Sequence, residues 1–243
     1  MSNQQSSFLF IPDINGFTEF VHRTEIEHSQ HIISELLENI LDSNQIGMEL
    51  SEIEGDAVLF YKYQDVPSME EIIEQTKQMF LNFHNHLKSY EKQRICNCGA
   101  CSSAPNLKLK FIAHQGEIGF IKVKDIQKPH GYDVVLIHKL LKNKVEKSEY
   151  LLVTDNFPDV PSTDKLGENL NWVQLIKGKS NYDKIGEVSY NYIPLKPLYQ
   201  FVKAPVIENV KKIGDPIVKE IFIEKPTEFV FQYLIRLDLR SNW

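Results

Sequence analysis

The feature that most constrains this chain is the stretch Phe8-Leu-Phe-Ile-Pro-Asp-Ile-Asn-Gly-Phe-Thr18. An apolar run leads to Asp13, and Gly16 then opens a helical pattern. Such a run reads as a buried strand that delivers a carboxylate to its end, followed by a glycine-containing turn into a helix N-terminus. Carboxylate oxygens suit a hard metal ion. The N–H groups of a first helical turn suit phosphate oxygens. Asp before a glycine turn is also an ordinary helix cap. The stretch therefore points to a cation and its phosphates only if the chain supplies a second carboxylate nearby.

Residues 25–46 place Ile32, Ile33, Leu36, Leu37, Ile40 and Leu41 at helical spacing, which predicts a long helix. Residues 50–63 change character. Strand formers flank Glu54-Gly55-Asp56, predicting a β-hairpin with Asp56 at its tip. Asp56 is the second carboxylate, although Glu-Gly-Asp is also a common plain turn.

Pro67 opens a helix over 68–92, and a polar, cysteine-bearing loop follows. Residues 107–114 alternate Leu and Phe with Lys as a half-buried strand, and Gln115-Gly116-Glu117 is expected to turn it into a second hairpin with 118–123. An amphipathic helix over 132–144 and strands at 150–154, 172–176 and 187–193 complete the pattern. This order predicts an α+β fold, an antiparallel sheet with helices on one face. Pro194, Pro197 and Pro205 mark a domain edge, giving a main domain over 1–197 and a linker with an incomplete module over 198–243.

The formal charge of −6 argues against nonspecific nucleic-acid binding, which needs a positive field. It leaves room for an anionic ligand, since bound metal reverses the local sign. No apolar run is long enough to span a bilayer, and Met-Ser-Asn-Gln-Gln is no signal peptide, so no membrane partner is expected. Three cysteines crowded into one segment do not make a disulfide framework, and a reducing, cytoplasmic setting is the expectation.

Asp13-Ile-Asn-Gly-Phe-Thr18 resembles the first metal-binding motif of class III nucleotidyl cyclases, the adenylyl and guanylyl cyclase catalytic domains. Glu52-Ile-Glu-Gly-Asp-Ala57 resembles their second, and His114-Gln-Gly-Glu117 the segment opening their next hairpin. The resemblance covers roughly residues 6–195 and implies a ferredoxin-like antiparallel sheet with helices packed on it. It implies two ions, Mg2+ or Mn2+, on Asp13 and Asp56, with the carbonyl of Ile14 as a further ligand. Backbone N–H groups around Asn15, Gly16 and Phe17 would hold phosphates of a purine nucleoside triphosphate. The family's site lies between two catalytic domains, so a homodimer is implied.

The resemblance also exposes departures. Aligning Gly131-Tyr-Asp-Val-Val-Leu-Ile-His-Lys139 on the family's next helix puts Val135 where an Asn orients the ribose and Lys139 where an Arg stabilises transition-state charge. Val135 cannot hydrogen-bond ribose, and Lys139 lacks the planar fork of Arg. The plainer reading makes Val135 core and Lys139 a solvated face. Glu52 stands where guanylyl cyclases use Glu, favouring guanine, while its partner position falls on Lys128. The metal half of the site thus looks intact and the transition-state half eroded. The chain is then either a slow cyclase or an inactive nucleotide-sensing or dimerisation module.

Cys96-Asn-Cys98-Gly-Ala-Cys101 has the Cys-x-x-Cys spacing of a zinc loop, with His84, His86 or another subunit's cysteine as candidates for a fourth ligand. Three reduced thiols on a polar loop are the alternative. In the tail, 218–231 followed by Asp238-Leu-Arg-Ser-Asn-Trp243 resembles the first strand and helix of START-like helix-grip domains.

Overall fold

The structure, a computed structural model, describes residues 6–93, 98–157, 170–203 and 222–235. Two compact units divide the chain, Met1–Pro205 and Val206–Trp243.

In the first unit, β1 (Ser7–Asn15) leads through α1 (Phe17–Arg23) and α2 (Ile26–Asp42) to the hairpin of β2 (Glu49–Glu54) and β3 (Ala57–Lys62). Then come α3 (Met69–Gln93), the short α4 (Gly99–Ser103), β4 (Lys108–Gly116), β5 (Gly119–Val123), β6 (Ile126–His130) and α5 (Tyr132–Leu140). Strands β7 (Tyr150–Thr154), β8 (Ile176–Tyr182) and β9 (Gly186–Pro194) finish the unit. The main sheet has seven strands in the order β2-β3-β1-β4-β7-β9-β8. Its neighbours are antiparallel except β4 and β7, which run parallel. A mixed α+β fold built on an antiparallel-rich sheet is what the sequence predicts.

Strand β1 lies between β3 and β4, and its residues Ser7 to Ile14 are all buried. Side chains alternate across a strand. Phe8, Phe10 and Ile14 therefore enter a cluster with α2 and α3, through Ile32, Leu36, Ile40, Phe80 and Phe83. Leu9 and Ile11 enter a second cluster, with Leu59, Ile112 and Leu136, Ile137 and Leu140 of α5. This corrects the expectation of helices on one face: α5 covers the other side, which a continuous apolar run at the sheet centre requires.

Helix α2 ends at Asp42, four residues before the apolar spacing suggests. The buried side chain of Gln75 explains the stop. Its amide donates to the Ser43 carbonyl at 2.7 Å, and its oxygen accepts from the N–H groups of Gln45 at 2.7 Å and Ile46 at 3.2 Å. Those interactions satisfy the polar groups that a helix end exposes. At the start of α3, Ser68 and Glu71 form a reciprocal capping box, with Ser68 N–H donating to the Glu71 carboxylate at 2.8 Å and Glu71 N–H to Ser68 Oγ at 3.3 Å.

Two strand expectations are corrected. Strand β5 pairs with β6 rather than with β4, which pairs with β1 and β7 instead. Pro129 within β6 hid that strand, because proline lacks the ladder donor. A two-stranded ribbon tolerates it, both of its strands being edges. The strand placed at 172–176 begins only at Ile176. Trp172 and Val173 are buried as core residues outside the sheet.

In the second unit α6 spans Thr227–Ile235. Of the strand expected near 217–224, residues 222–224 carry no strand and the rest lies outside the described residues.

Candidate functional site

The two acidic motifs meet on the α5 side of the sheet. Gly55, in the left-handed conformation at φ 64°, turns β2 into β3. The hairpin tip is strapped to β1 by the Ile14 N–H, which donates to the Asp56 carbonyl at 3.0 Å. Asp13 stands opposite Ala57, the residue after Asp56. Sheet register thus brings the two carboxylates together across neighbouring strands.

Asp13 is only 8% exposed. Its Oδ2 lies 2.9 Å from Lys110 Nζ, the ammonium of the residue directly opposite on β4. Lys110 also donates to the Leu141 carbonyl at 3.3 Å, just beyond α5. Burial pushes the Asp56 carboxyl above the usual carboxylate range, and the charge of Asp13 pushes it the same way. Lys110 acts against that rise. The site is therefore two interacting acids and one ammonium in a poorly solvated position.

Such a donor set fits a divalent cation. Two hard oxygen groups lie where a positive charge is already required, and Lys110 supplies only one. Asp13, Asp56 and the carbonyl of Ile14 are the residues that could hold the metal. Beside them Gly16, at φ 93°, is the N-cap of α1, and its carbonyl accepts from Phe20 N–H at 3.0 Å. The Asn15 amide donates to the Ser148 carbonyl at 3.3 Å, while Phe17 sits next to Gly55 of the hairpin tip.

Farther along the hairpin, a register irregularity falls between Leu50 and Glu52. Glu52 accepts from Lys128 Nζ at 2.5 Å, so the two positions compared with base-recognition residues face each other. That bond raises the Lys128 ammonium pKa, with the Glu52 charge adding to it. On α5, Val135 is 52% exposed, which overturns its reading as a core residue. Helical rotation sends Leu136, Ile137 and Leu140 to the sheet and leaves Val135 and Lys139 on the open face.

The cysteine loop has a different histidine from those expected. His28, in the first turn of α2, places Nδ1 3.0 Å from Cys98 Sγ, and Cys101 completes the cluster. Cys96 lies outside the described residues. His84 is engaged elsewhere, buried with its Nε2 2.7 Å from Glu149 Oε1 and stacked near Phe80 and Tyr199. His86 Nε2 lies 3.2 Å from Glu35 Oε2. Lys110 and His28 are the two residues that the sequence motifs did not single out. Lysine at position 110 is itself a signal, because a lysine between Leu109 and Phe111 in a sheet centre needs an acidic partner.

Comparison with solved structures assigns the fold to the class III adenylyl and guanylyl cyclase catalytic domains. The guanylyl cyclase Cya2 is similar with a TM-score of 0.52 at 13% identity, covering 77% of this chain and 91% of that one. The catalytic core of a rhodopsin-guanylyl cyclase with converted specificity, solved in complex with ATPalphaS, gives 0.51 at 15% identity, covering 78% and 96%. Residues 33–150 match the family described as Protein of unknown function (DUF2652). The chain is also 34% identical over 165 residues to Uncharacterized protein Rv2561/Rv2562 of Mycobacterium tuberculosis, covering 67% of this chain and 73% of that protein. It belongs to the same family as that mycobacterial protein. Among the described residues, no helix is long and apolar enough to cross a membrane.

Proposed function

We propose that this chain binds a purine nucleoside triphosphate with two divalent cations, Mg2+ or Mn2+, as a homodimer, and slowly forms a cyclic nucleotide. The observation that carries the reading is the meeting of Asp13 and Asp56, whose charges interact, within a cyclase-like fold. Metal on these carboxylates and the Ile14 carbonyl supplies charge neutralisation for the triphosphate and activation of the ribose hydroxyl. The backbone at Asn15, Gly16 and Phe17 presents N–H groups to the terminal phosphates. Lys110, 2.9 Å from Asp13 Oδ2, holds that carboxylate in place until the cations arrive.

The Glu52–Lys128 pair supports guanine over adenine. Its carboxylate accepts from N1–H and the exocyclic amine, and its ammonium donates to O6. The exposed face of α5 and the open edge at Ile53 support burial against a second copy. From that face Lys139 supplies positive charge to the phosphates, whereas Val135 offers the ribose no hydrogen bond. Since placed charge is usually the largest catalytic contribution, the turnover is slow. Val135 also favours a second reading, a nucleotide-sensing module without turnover.

Incubating GTP or ATP with Mn2+ and wild type or Asp56→Ala, with nucleotide binding followed in parallel, tests both. Cyclic product lost on substitution supports the enzyme. Metal-dependent binding without product selects the sensor, and no metal-dependent binding by wild type overturns both.

A further inference from the structure

We propose that His28, Cys98 and Cys101 form a zinc site that staples the first turn of α2 to α4, separate from the nucleotide site. Their ligand atoms all lie within 4.8 Å of one another, with His28 Nδ1 3.0 Å from Cys98 Sγ. Tetrahedral zinc places such nitrogen and sulfur atoms about 3.6 Å apart and two sulfurs about 3.8 Å apart. Small side-chain rotations therefore convert the cluster into a coordination shell.

The donor set selects the metal. Two thiolates and an imidazole suit zinc and are poor ligands for Mg2+. The Cys98-x-x-Cys101 spacing lets a single turn present both sulfurs, and the Cys101 N–H donates to Cys98 Sγ at 3.4 Å, stabilising thiolate charge there. Each of the three residues is half-buried, accessible to a metal yet shielded from bulk water.

The two segments are also docked independently of any ion. Glu25, at the N-cap of α2, is held below the usual carboxylate range by its own backbone N–H first. The N–H groups of Ala100 and Gly99 add to that lowering. Gly99 packs so tightly that a Cβ there would stand 3.3 Å from the Arg23 carbonyl. Cys98 and Cys101 pack against the cluster of Phe8 and Phe10, whereas Leu9 and Ile11 of the alternate face line the Asp13 side. The sheet thus lies between a soft-metal site and a hard-metal site.

The test is zinc content by mass spectrometry of wild type, stripped by chelator and reloaded, together with cobalt substitution. About one zinc per chain is expected, with thiolate-to-cobalt charge-transfer absorption and tetrahedral ligand-field bands. Cys98→Ser and Cys101→Ser should lose the metal, and His28→Cys should retain it with a shifted cobalt spectrum. Asp56→Ala should keep its zinc, which separates this site from the nucleotide reading. Should the serine variants fail to fold, titration of stripped wild type with Zn2+ reads the site directly. Reloaded wild type without zinc, full zinc in Cys98→Ser, or a cobalt spectrum unmoved by His28→Cys would each overturn the proposal.

Discussion

Replacing Lys110 by Met removes the ammonium that faces Asp13 Oδ2 at 2.9 Å and keeps most of the side-chain stem. The pair is largely withdrawn from water, with 16% and 12% of the two side chains exposed. Leaving one partner of such a pair buried and uncompensated costs about 3 kcal/mol. Asp56 aggravates the loss, since its carboxylate and that of Asp13 already repel. For a unit of this size each kcal/mol moves the Tm by about 2–4 °C, so Lys110→Met should melt about 6–12 °C below wild type in EDTA. Divalent metal bound as proposed should reverse the deficit, because it would supply the missing charge. At a hundredfold excess over its Kd, a ligand of the native state returns about 2.7 kcal/mol. The variant should also bind Mn2+ at least about tenfold more tightly than wild type, a gain of about 1.4 kcal/mol, because no ammonium competes for Asp13. Thermal melts by circular dichroism with EDTA or Mn2+, and titration calorimetry with Mn2+, measure both effects. Combining Lys110→Met with Asp13→Asn should recover much of the stability, since the stranded charge then disappears. A Lys110→Met protein melting within about 2 °C of wild type in EDTA, or gaining no more than wild type from Mn2+, refutes the reasoning.

Two further outcomes follow from the same geometry. The Asp56 carboxyl is raised in the native state by burial and then by Asp13, so the native state holds that proton more tightly than the unfolded chain does. Stability should therefore fall as pH rises from about 4 through the raised value, and stay lowered above it. Asp56→Asn should remove that decline in EDTA; parallel pH–stability curves for the two proteins would contradict it. Gly116→Ala drives a Cβ into the Asp133 carboxyl carbon, well inside van der Waals contact. That carboxylate is anchored 2.9 Å from His114 Nε2 and accepts Glu117 N–H at 2.7 Å, so it cannot yield freely. A loss of about 1–3 kcal/mol is expected in urea unfolding, and an unchanged midpoint would show that Asp133 moves aside.

The sequence made the strand running from Phe8 to Asp13, the hairpin at Asp56 and the long helices readable because apolar spacing reports local periodicity directly. It was blind where a tertiary contact decides. Gln75 ends α2 from thirty residues away along the chain, and no helical spacing announces that. Pairing choice was equally hidden: Gln115-Gly116-Glu117 looks like a hairpin turn, yet β4 continues through Gly116 beside β1. At the site, Asp13 and Asp56 were legible from their turns. Lys110 was not singled out, because alternation shows that it shares a face with Ile112 and leaves open which residue that face meets. Val135 was misread because apolar residues on a helix are ordinarily assigned to the core, whereas the phase of Leu136, Ile137 and Leu140 turns Val135 outward. His28 lies seventy residues from Cys98, a separation that no local motif records.

The burial contrast between β1 and α5 has a consequence for how such a protein drifts. Substitution at an exposed helix position generally changes stability by less than about 0.5 kcal/mol. Val135 and Lys139 stand on such a surface, and the chain can exchange side chains there with its fold untouched. Asp13 has no such freedom, because its loss strands the Lys110 ammonium inside the sheet. A relative without the proposed nucleotide chemistry would therefore still keep Asp13, as a structural counter-ion, for as long as it kept Lys110. Asp56, destabilised by its setting and closer to solvent than Asp13, is under no such obligation. The fold therefore does not account for its presence, whereas the proposed metal site does.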